Sequence, residues 1–400
     1  TNGGGLVRLR EPKFLHFTTN EGLASNFNWT VFQDSKGGMW FGLNDKGVTY
    51  FTNGNFKIFN DQNGLPHNAC RAIFEDSKGN IWLGTNGGIV KITNGKIAQK
   101  YTKANGLSND AIRAIKEDKY GNIWIATNGG GINLIKSDGS LVVYTTANGL
   151  SNDYPKYFLE DRNGNFWIGT NKGLNKFING TFKVYDLSNG DKEHSSSNII
   201  RCMYEDDDGT IWIGTNGGGL VRFKNEKTKI IAAKDGLFDE TIFVILKDGN
   251  NKFWMSCNKG IFSVDVKMLN DFCDGKINII QCTSYGKADG MKTIECNGGS
   301  VPAGFKAKDG TLYFSTMMGA AYINPNKIRL NEVKPYVAIT SINADDKLTI
   351  DNAGDEIKLV AGTNKIEINF AGLSFIMPSK VKFKYKLEGV DDDWIDAGNR

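Results

Sequence analysis

The sequence predicts an all-β fold: a seven-bladed β-propeller followed by the start of a small β-sandwich. Three observations carry this expectation. Six tryptophans stand at 40, 82, 124, 167, 212 and 254, spaced 42 to 45 residues apart. Each lies in one recurring phrase, "EDSKGNIWLGTNGG" around Trp82 and "EDDDGTIWIGTNGGG" around Trp212. A seventh copy, "AKDGTLYFSTMMGA", puts Tyr313 in the tryptophan position. A period of about 40–45 residues built from short strands marks a propeller blade. After Asn324-Pro325 the repeat stops, and "YVAITSINA", "KIEINFAGLSF" and "KFKYKLEG" alternate with period two, as sandwich strands do.

Residues 64–105 show how one repeat makes a blade. "ACRAIFED" reads as the inner strand. "DSKGN" is a hairpin turn in which Asp76 caps the backbone and Gly79 supplies a positive φ. "IWLGT" is the second strand, "IVKIT" the third and "IAQKYT" the outer one. Asn-Gly between apolar runs, as at Asn94-Gly95, is a strong hairpin signal. "IWLGT" is apolar on both faces, so the sheet is covered on both sides. The residue two after each tryptophan is small: Gly42, Gly84, Ala126, Gly169, Gly214 and Ser256, with Ser315 after Tyr313. It shares the aromatic residue's face, so a neighbouring group is expected to fill the gap. Asp34, Asp76, Asp118, Asp161, Asp206 and Asp248 form a turn column six residues before each tryptophan. "DDDG" at Asp206–Gly209 is read as this turn and not as a calcium loop.

Two departures from the period matter. Between Trp254 and Tyr313 the gap grows to 59, and "VKMLNDFCDGK" there suits a short helix. The chain also opens on "TNGGGL", the middle of a repeat, so it reads as a fragment. If Lys13 to Phe17 supplies the outer strand of the last blade, the ring closes by pairing the two ends of the array. The organisation expected is a propeller over 1–330, with a partial repeat at 1–20, and a truncated sandwich over 331–400.

Composition excludes some functions. A net charge of +4 over 400 residues gives no case for nucleic acid. No apolar stretch approaches the roughly 18 residues of a membrane helix, so any membrane contact is expected through segments outside this sequence. The six cysteines form no CxxC pair. Cys202 and Cys257 read as small buried fillers, and spacing leaves open whether Cys273 and Cys282 pair. The three histidines lie in different repeats, and neither a metal nor a cofactor is expected.

The phrase "EDxxGxIWxGTxxGG" resembles the two-component regulator propeller repeat. "DGMKTIECNGGS" leading into "KDGTLYFSTMMGAAYINP" resembles the atypical last blade of such arrays, with Glu295 and Asn297 keeping its glutamate-x-asparagine step. "KFKYKLEGVDDDWIDAG", Lys382 to Gly398, resembles the opening of the immunoglobulin-like Y_Y_Y domain. The resemblance implies a periplasmic sensor ectodomain of a hybrid two-component histidine kinase in the inner membrane, of the kind that detects glycans in gut Bacteroidetes. It further implies a homodimer, with this ring the second of two propellers in a longer ectodomain. Every kinase motif lies outside this sequence.

One column of residues carries candidate chemistry. Three residues into each inner strand stand Trp29, Arg71, Arg113, Lys156, Arg201 and Phe243. Inner strands line a propeller's channel, so this column places four cations and two aromatics around one mouth. Guanidinium groups pair with anionic oxygens, and flat rings stack on sugar faces. An acidic oligosaccharide is therefore the expected partner. Against it stands a structural role, in which the arginines tie neighbouring blades through backbone carbonyls. Glu295 and Asn297 are further ligand candidates, with turn capping as the alternative. Tyr385 and Trp394 are expected in the sandwich core. Two other functional classes stay open at this stage: a propeller lyase or glycosidase, and a protein-interaction scaffold.

Overall fold

A computed structural model describes residues 11–328, 336–345, 348–351, 361–373, 381 and 383–398. The chain divides into two units, Thr1–Lys327 and Ile328–Arg400.

The first unit is a ring of seven four-stranded antiparallel sheets. We number the blades 1 to 7 along the chain. Blades 1 to 6 occupy 28–59, 70–101, 112–144, 155–185, 200–231 and 244–285. Blade 7 comprises Gly304–Lys306, Leu312–Thr316 and Gly319–Ile323, and its outer strand is Leu15–Phe17. The closing register pairs Leu15 with Tyr322 and Phe17 with Ala320. Each inner strand touches the inner strands of both neighbouring blades, so these seven strands surround the axis. The expected helix, Val266–Cys273, lies within blade 6, between its third strand Gly260–Asp265 and its outer strand Thr283–Tyr285, with Asp265 accepting from the Lys267 and Met268 amides.

Every position of the repeated phrase has a physical task. The aspartate accepts the amides of its own turn and the indole N–H of its tryptophan. Asp76 Oδ1 takes the Lys78 and Asn80 amides at 3.1 and 2.8 Å, and Oδ2 takes Trp82 Nε1 at 2.9 Å. Gly79 turns the hairpin at a φ of 76°. The same aspartate–indole bond recurs at Trp40, Trp124, Trp167 and Trp254. Blade 5 departs from it: Asp206 binds Lys247 at 2.7 Å, and the buried Trp212 Nε1 has no acceptor among the described residues. The glutamate before the aspartate reaches the preceding blade. Glu75 takes the Ser35 amide and hydroxyl, Glu117 those of Ser77, and Glu205 the Arg162 amide and Nε. The threonine hydroxyl closes the next turn, as Thr85 does onto the Gly88 carbonyl at 2.8 Å. Cys257 does the same through Sγ at 3.3 Å, which explains a cysteine in the threonine column.

The core lies between blades. Trp40 packs with Ile73, Leu83 and Val90 of blade 2, and Trp82 with Ile115, Ile123 and Ile125 of blade 3. The small residue two positions on is where the next blade comes in. A Cβ on Gly169 would lie 2.4 Å from Ile200 Cγ2, and one on Gly84 2.6 Å from Ile112 Cγ2. The neighbouring group expected from sequence is thus the first apolar residue of the following inner strand. Cys202 and Cys257 are buried, as small fillers should be.

The second unit contains a three-stranded antiparallel sheet, with Tyr336–Ala344 between Leu348–Asp351 and Ile366–Leu373. A two-stranded ladder joins Phe383–Tyr385 to Ile395–Gly398. The two pieces meet where Phe370 and Phe383 stack edge to face at 4.9 Å. Tyr385 and Trp394 correct the sequence expectation: they are 49% and 65% exposed, not core. Among the described residues, no layer faces this two-stranded ladder at these positions to bury a ring.

Two tests follow from this packing. Gly169→Ala should destabilise the ring by about 1–3 kcal/mol through overpacking. In the double variant with Ile200→Ala the penalties should be less than additive by urea denaturation. Closure is acid-sensitive. Burial, then Lys292, pushes the His16 pKa down to about 4, with Glu21 opposing, and His16 Nε2 accepts the Lys292 amide. Folding holds His16 neutral while the unfolded chain protonates near its ordinary 6.5, so its contribution is lost as pH falls from 6.5 to 4. His16→Gln should flatten the melting temperature across that window.

Candidate functional site

The basic column lies on a backbone irregularity that recurs around the ring. In blades 1 to 5 the pairing of the first two strands slips at one place. Asn28 and Thr30 pair across the ladder but Trp29 does not. Arg71, Arg113, Lys156 and Arg201 are skipped in the same way. Each column residue is therefore the extra residue of a β-bulge, a device that re-aims a side chain. In blade 6, Phe243 immediately precedes the inner strand and donates to the Ser256 carbonyl at 2.9 Å.

The structure brings the four cations into one electrostatic neighbourhood. The Lys156 pKa is pushed down to about 8, first by burial and then by Arg201, Arg113 and Arg71. Arg113 is lowered to about 10 by burial and by Arg71. Two arginines are held by neutral partners: Arg113 Nη1 donates to Asn86 Oδ1 at 2.9 Å, and Arg201 Nε and Nη2 donate to Asn216 Oδ1 at 3.2 and 3.0 Å. Those asparagines belong to the "TNGG" turns. Arg71 lies flat over the Trp29 ring at 3.7 Å, and its buried Nε has no acceptor among the described residues. Lys156 lies 5.8 Å over the ring of Tyr154, which is 42% exposed. Neither Arg71 nor Lys156 forms an ion pair among the described residues. The column's cations thus gather with no carboxylate among them.

The other candidates occupy different settings. Glu295 is exposed on the approach to blade 7, and its carbonyl accepts the Met317 amide. Asn297 is buried and donates from Nδ2 to the Asn28 carbonyl of blade 1. Asn297 caps no turn of its own. It fastens the last blade to the first.

Sequence reasoning missed the segment that follows. Residues 297–303 do not run up blade 7 as an inner strand but cross the channel. Gly298 abuts Phe243 of blade 6, and Gly299 abuts Arg201 of blade 5. Ser300 Oγ donates to the Trp29 carbonyl. Val301 exchanges hydrogen bonds with the backbone of blade 2: its amide donates to Arg71 O at 3.0 Å, and its carbonyl accepts from Ile73 N at 3.1 Å. Pro302 O takes the Val31 amide. The enlarged gap of 59 before Tyr313 and the Gly-Gly-Ser run were the available signals.

A model of two-component regulator propeller repeats matches residues 22–45, 64–87, 106–129, 149–172 and 194–217. Each match falls on the first two strands of one of blades 1 to 5 and the loop before them. The extracellular domains of two putative hybrid two-component systems from B. thetaiotaomicron superpose with TM-scores of 0.72 and 0.63 at 24% and 21% identity. Each covers 97% of this chain, which spans 52% and 54% of theirs. Histidine kinase P4 of Formosa agariphila is 24% identical over 194 residues, 45% of this chain and 13% of that kinase. Virginiamycin B lyase from Staphylococcus aureus shares the ring at a TM-score of 0.59 and 16% identity, over 78% of this chain and 98% of the lyase. At such identities these likenesses show the fold.

The crowding of positive charge gives a stability test. Lys156 titrates in the folded chain near 8 against an ordinary 10.5, so its charged form costs stability below pH 8 and the cost fades towards 10.5. Lys156→Met should raise the urea midpoint at pH 7, with a gain that shrinks by pH 10.

Proposed function

We propose that this chain is part of the extracytoplasmic ectodomain of a hybrid two-component histidine kinase, and that it senses an acidic oligosaccharide at the channel mouth. The sensor role is supported by the repeats and by the likeness to two-component ectodomains. The ligand class rests on one observation: Arg71, Arg113, Lys156 and Arg201 gather at one mouth without a compensating carboxylate.

The chemistry follows from that arrangement. A ligand carboxylate or sulfate replaces like-charge repulsion with charge-assisted hydrogen bonds. The exposed Tyr154 offers a flat apolar face to a sugar ring, while the Trp29 ring is covered by Arg71 and supports it. Asn86 and Asn216 orient the two guanidinium groups before the ligand arrives, so less side-chain freedom is lost on binding. Binding drives signalling only as far as the ligand prefers one arrangement of the receptor over another.

The test is an array of acidic and neutral oligosaccharides probed with this chain, followed by calorimetry. Acidic members should bind and their neutral counterparts should not. Arg71→Ala and Arg201→Ala should each weaken affinity by about 10- to 100-fold, the loss expected for a charge-assisted hydrogen bond of about 1.5–3 kcal/mol. Affinity should also fall with added salt, and above pH 8 as Lys156 loses its proton. Unchanged affinity in both arginine variants would remove the column from the site, and turnover of any member would favour a catalytic reading.

A further inference from the structure

Blade 7 contributes no side chain to the basic column. Where its column residue would stand, residues 297–303 cross the channel. Three successive backbone N–H groups of that crossing, those of Gly298, Gly299 and Ser300, meet no acceptor among the described residues. The flanking amides are satisfied: Asn297 N donates to Ser315 O at 2.9 Å and Val301 N to Arg71 O at 3.0 Å. Ser300 is buried, and Gly298 and Gly299 are half-buried. A buried backbone donor nearly always finds an acceptor, so the unbonded Ser300 amide, with two half-buried ones beside it, marks a place that receives one.

The surroundings specify what it receives. A Cβ on Gly298 would lie 2.1 Å from the Phe243 ring, so only glycine lets the backbone come this close. A Cβ on Gly299 would lie 3.4 Å from Arg201 Nη1. Gly299 has a φ of 78°, and a left-handed residue within a run of N–H groups is characteristic of anion-binding nests. Along the segment, the points that meet Arg201 and the Arg71 backbone are two residues apart, at most about 7 Å. Arg71 also carries the unbonded Nε. Backbone donors, the Arg201 guanidinium and the Arg71 strand are therefore neighbours along one short segment. The crossing is hydrogen-bonded to blades 1 and 2 and abuts blades 5 and 6, so a ligand entering along the axis meets this spot with its leading end.

We propose that the Gly298, Gly299 and Ser300 amides form, with Arg71 and Arg201, a pocket for a single oxyanion at the terminus of the ligand. This rests on the acidic-ligand reading and sharpens it. The group recognised is a terminal carboxylate or sulfate, and acids in the interior of a polymer do not reach it. A small free anion is then a sufficient probe.

The experiment combines calorimetry with hydrogen exchange of the peptide spanning 296–303, on the whole chain. The probes are sodium glucuronate, inorganic sulfate and, as the neutral control, glucose. At saturating anion the exchange of these amides should slow at least tenfold, with glucose causing no change. Glucuronate alone, or sulfate alone, giving this protection identifies the oxyanion. In the Arg71→Met, Arg201→Met double variant the protection should disappear while the chain stays folded by circular dichroism. Calorimetric binding of the anions without protection of 296–303 would overturn the pocket and leave the acidic-ligand reading standing. So would binding of acidic oligosaccharides combined with indifference to both small anions. Failure of every acidic probe, large or small, would overturn both.

Discussion

The close approach of neighbouring blades is the constraint on which the rest depends. A second strand covered on both faces needs a neighbour on each side, and no single blade can supply them. The tryptophan fills one side of that contact, while the small residue two positions later admits the next inner strand. Gly169 and Ile200 show how tight the fit is, since even one added carbon would sit 2.4 Å from its neighbour. Glutamates such as Glu117 then fix the angle between blades by binding the preceding turn. Seven repetitions of this contact set the radius of the ring and hence the width of its channel.

Repetition also places chemistry. One bulge, repeated at the same height, carries a single residue towards the axis in blades 1 to 5. Because that residue is extra to the ladder, its identity is released from strand pairing. Blades 2 to 5 use the freedom for cations and blade 1 for a tryptophan. Blade 7 abandons the pattern and sends its backbone across instead. The ring is therefore symmetric in scaffold and asymmetric in chemistry: a basic arc on one side, glycine backbone and aromatic rings on the other. Such division, with a repeating frame and singular residues at one mouth, is how a propeller acquires a specific site.

The blades were legible because their determinants are local and recur seven times. Asp76, Gly79 and Trp82 act within one hairpin, and a period exposes them. The column was legible for the same reason, although its bulge was not, because a one-residue slip leaves no mark in apolar patterning. The crossing was illegible. Asn297, Ser300 and Val301 find partners some 230 to 270 residues away in the chain, and no pattern of neighbours encodes such pairings. Trp394 and Tyr385 misled for a related reason: period-two alternation says which face a ring takes, but not whether anything covers that face. The fold thus followed from short-range rules, and the most singular part of the site from long-range ones.

The pairing of Leu15 with Tyr322 has a consequence for how the molecule is made. Residues at the start of the ring wait through the synthesis of some three hundred others before their partner exists. Contacts of such separation form late, since loop closure must come before any gain from pairing. Until then blade 7 has an open edge and blade 1 lacks one neighbour, so a nascent chain presents an incomplete ring with two unpaired ends. Completion is a single terminal event, and it coincides with Asn297 and Ser300 reaching blade 1. The latch that finishes the scaffold and the segment that crosses the channel therefore arrive together, and a ring that has not closed lacks both.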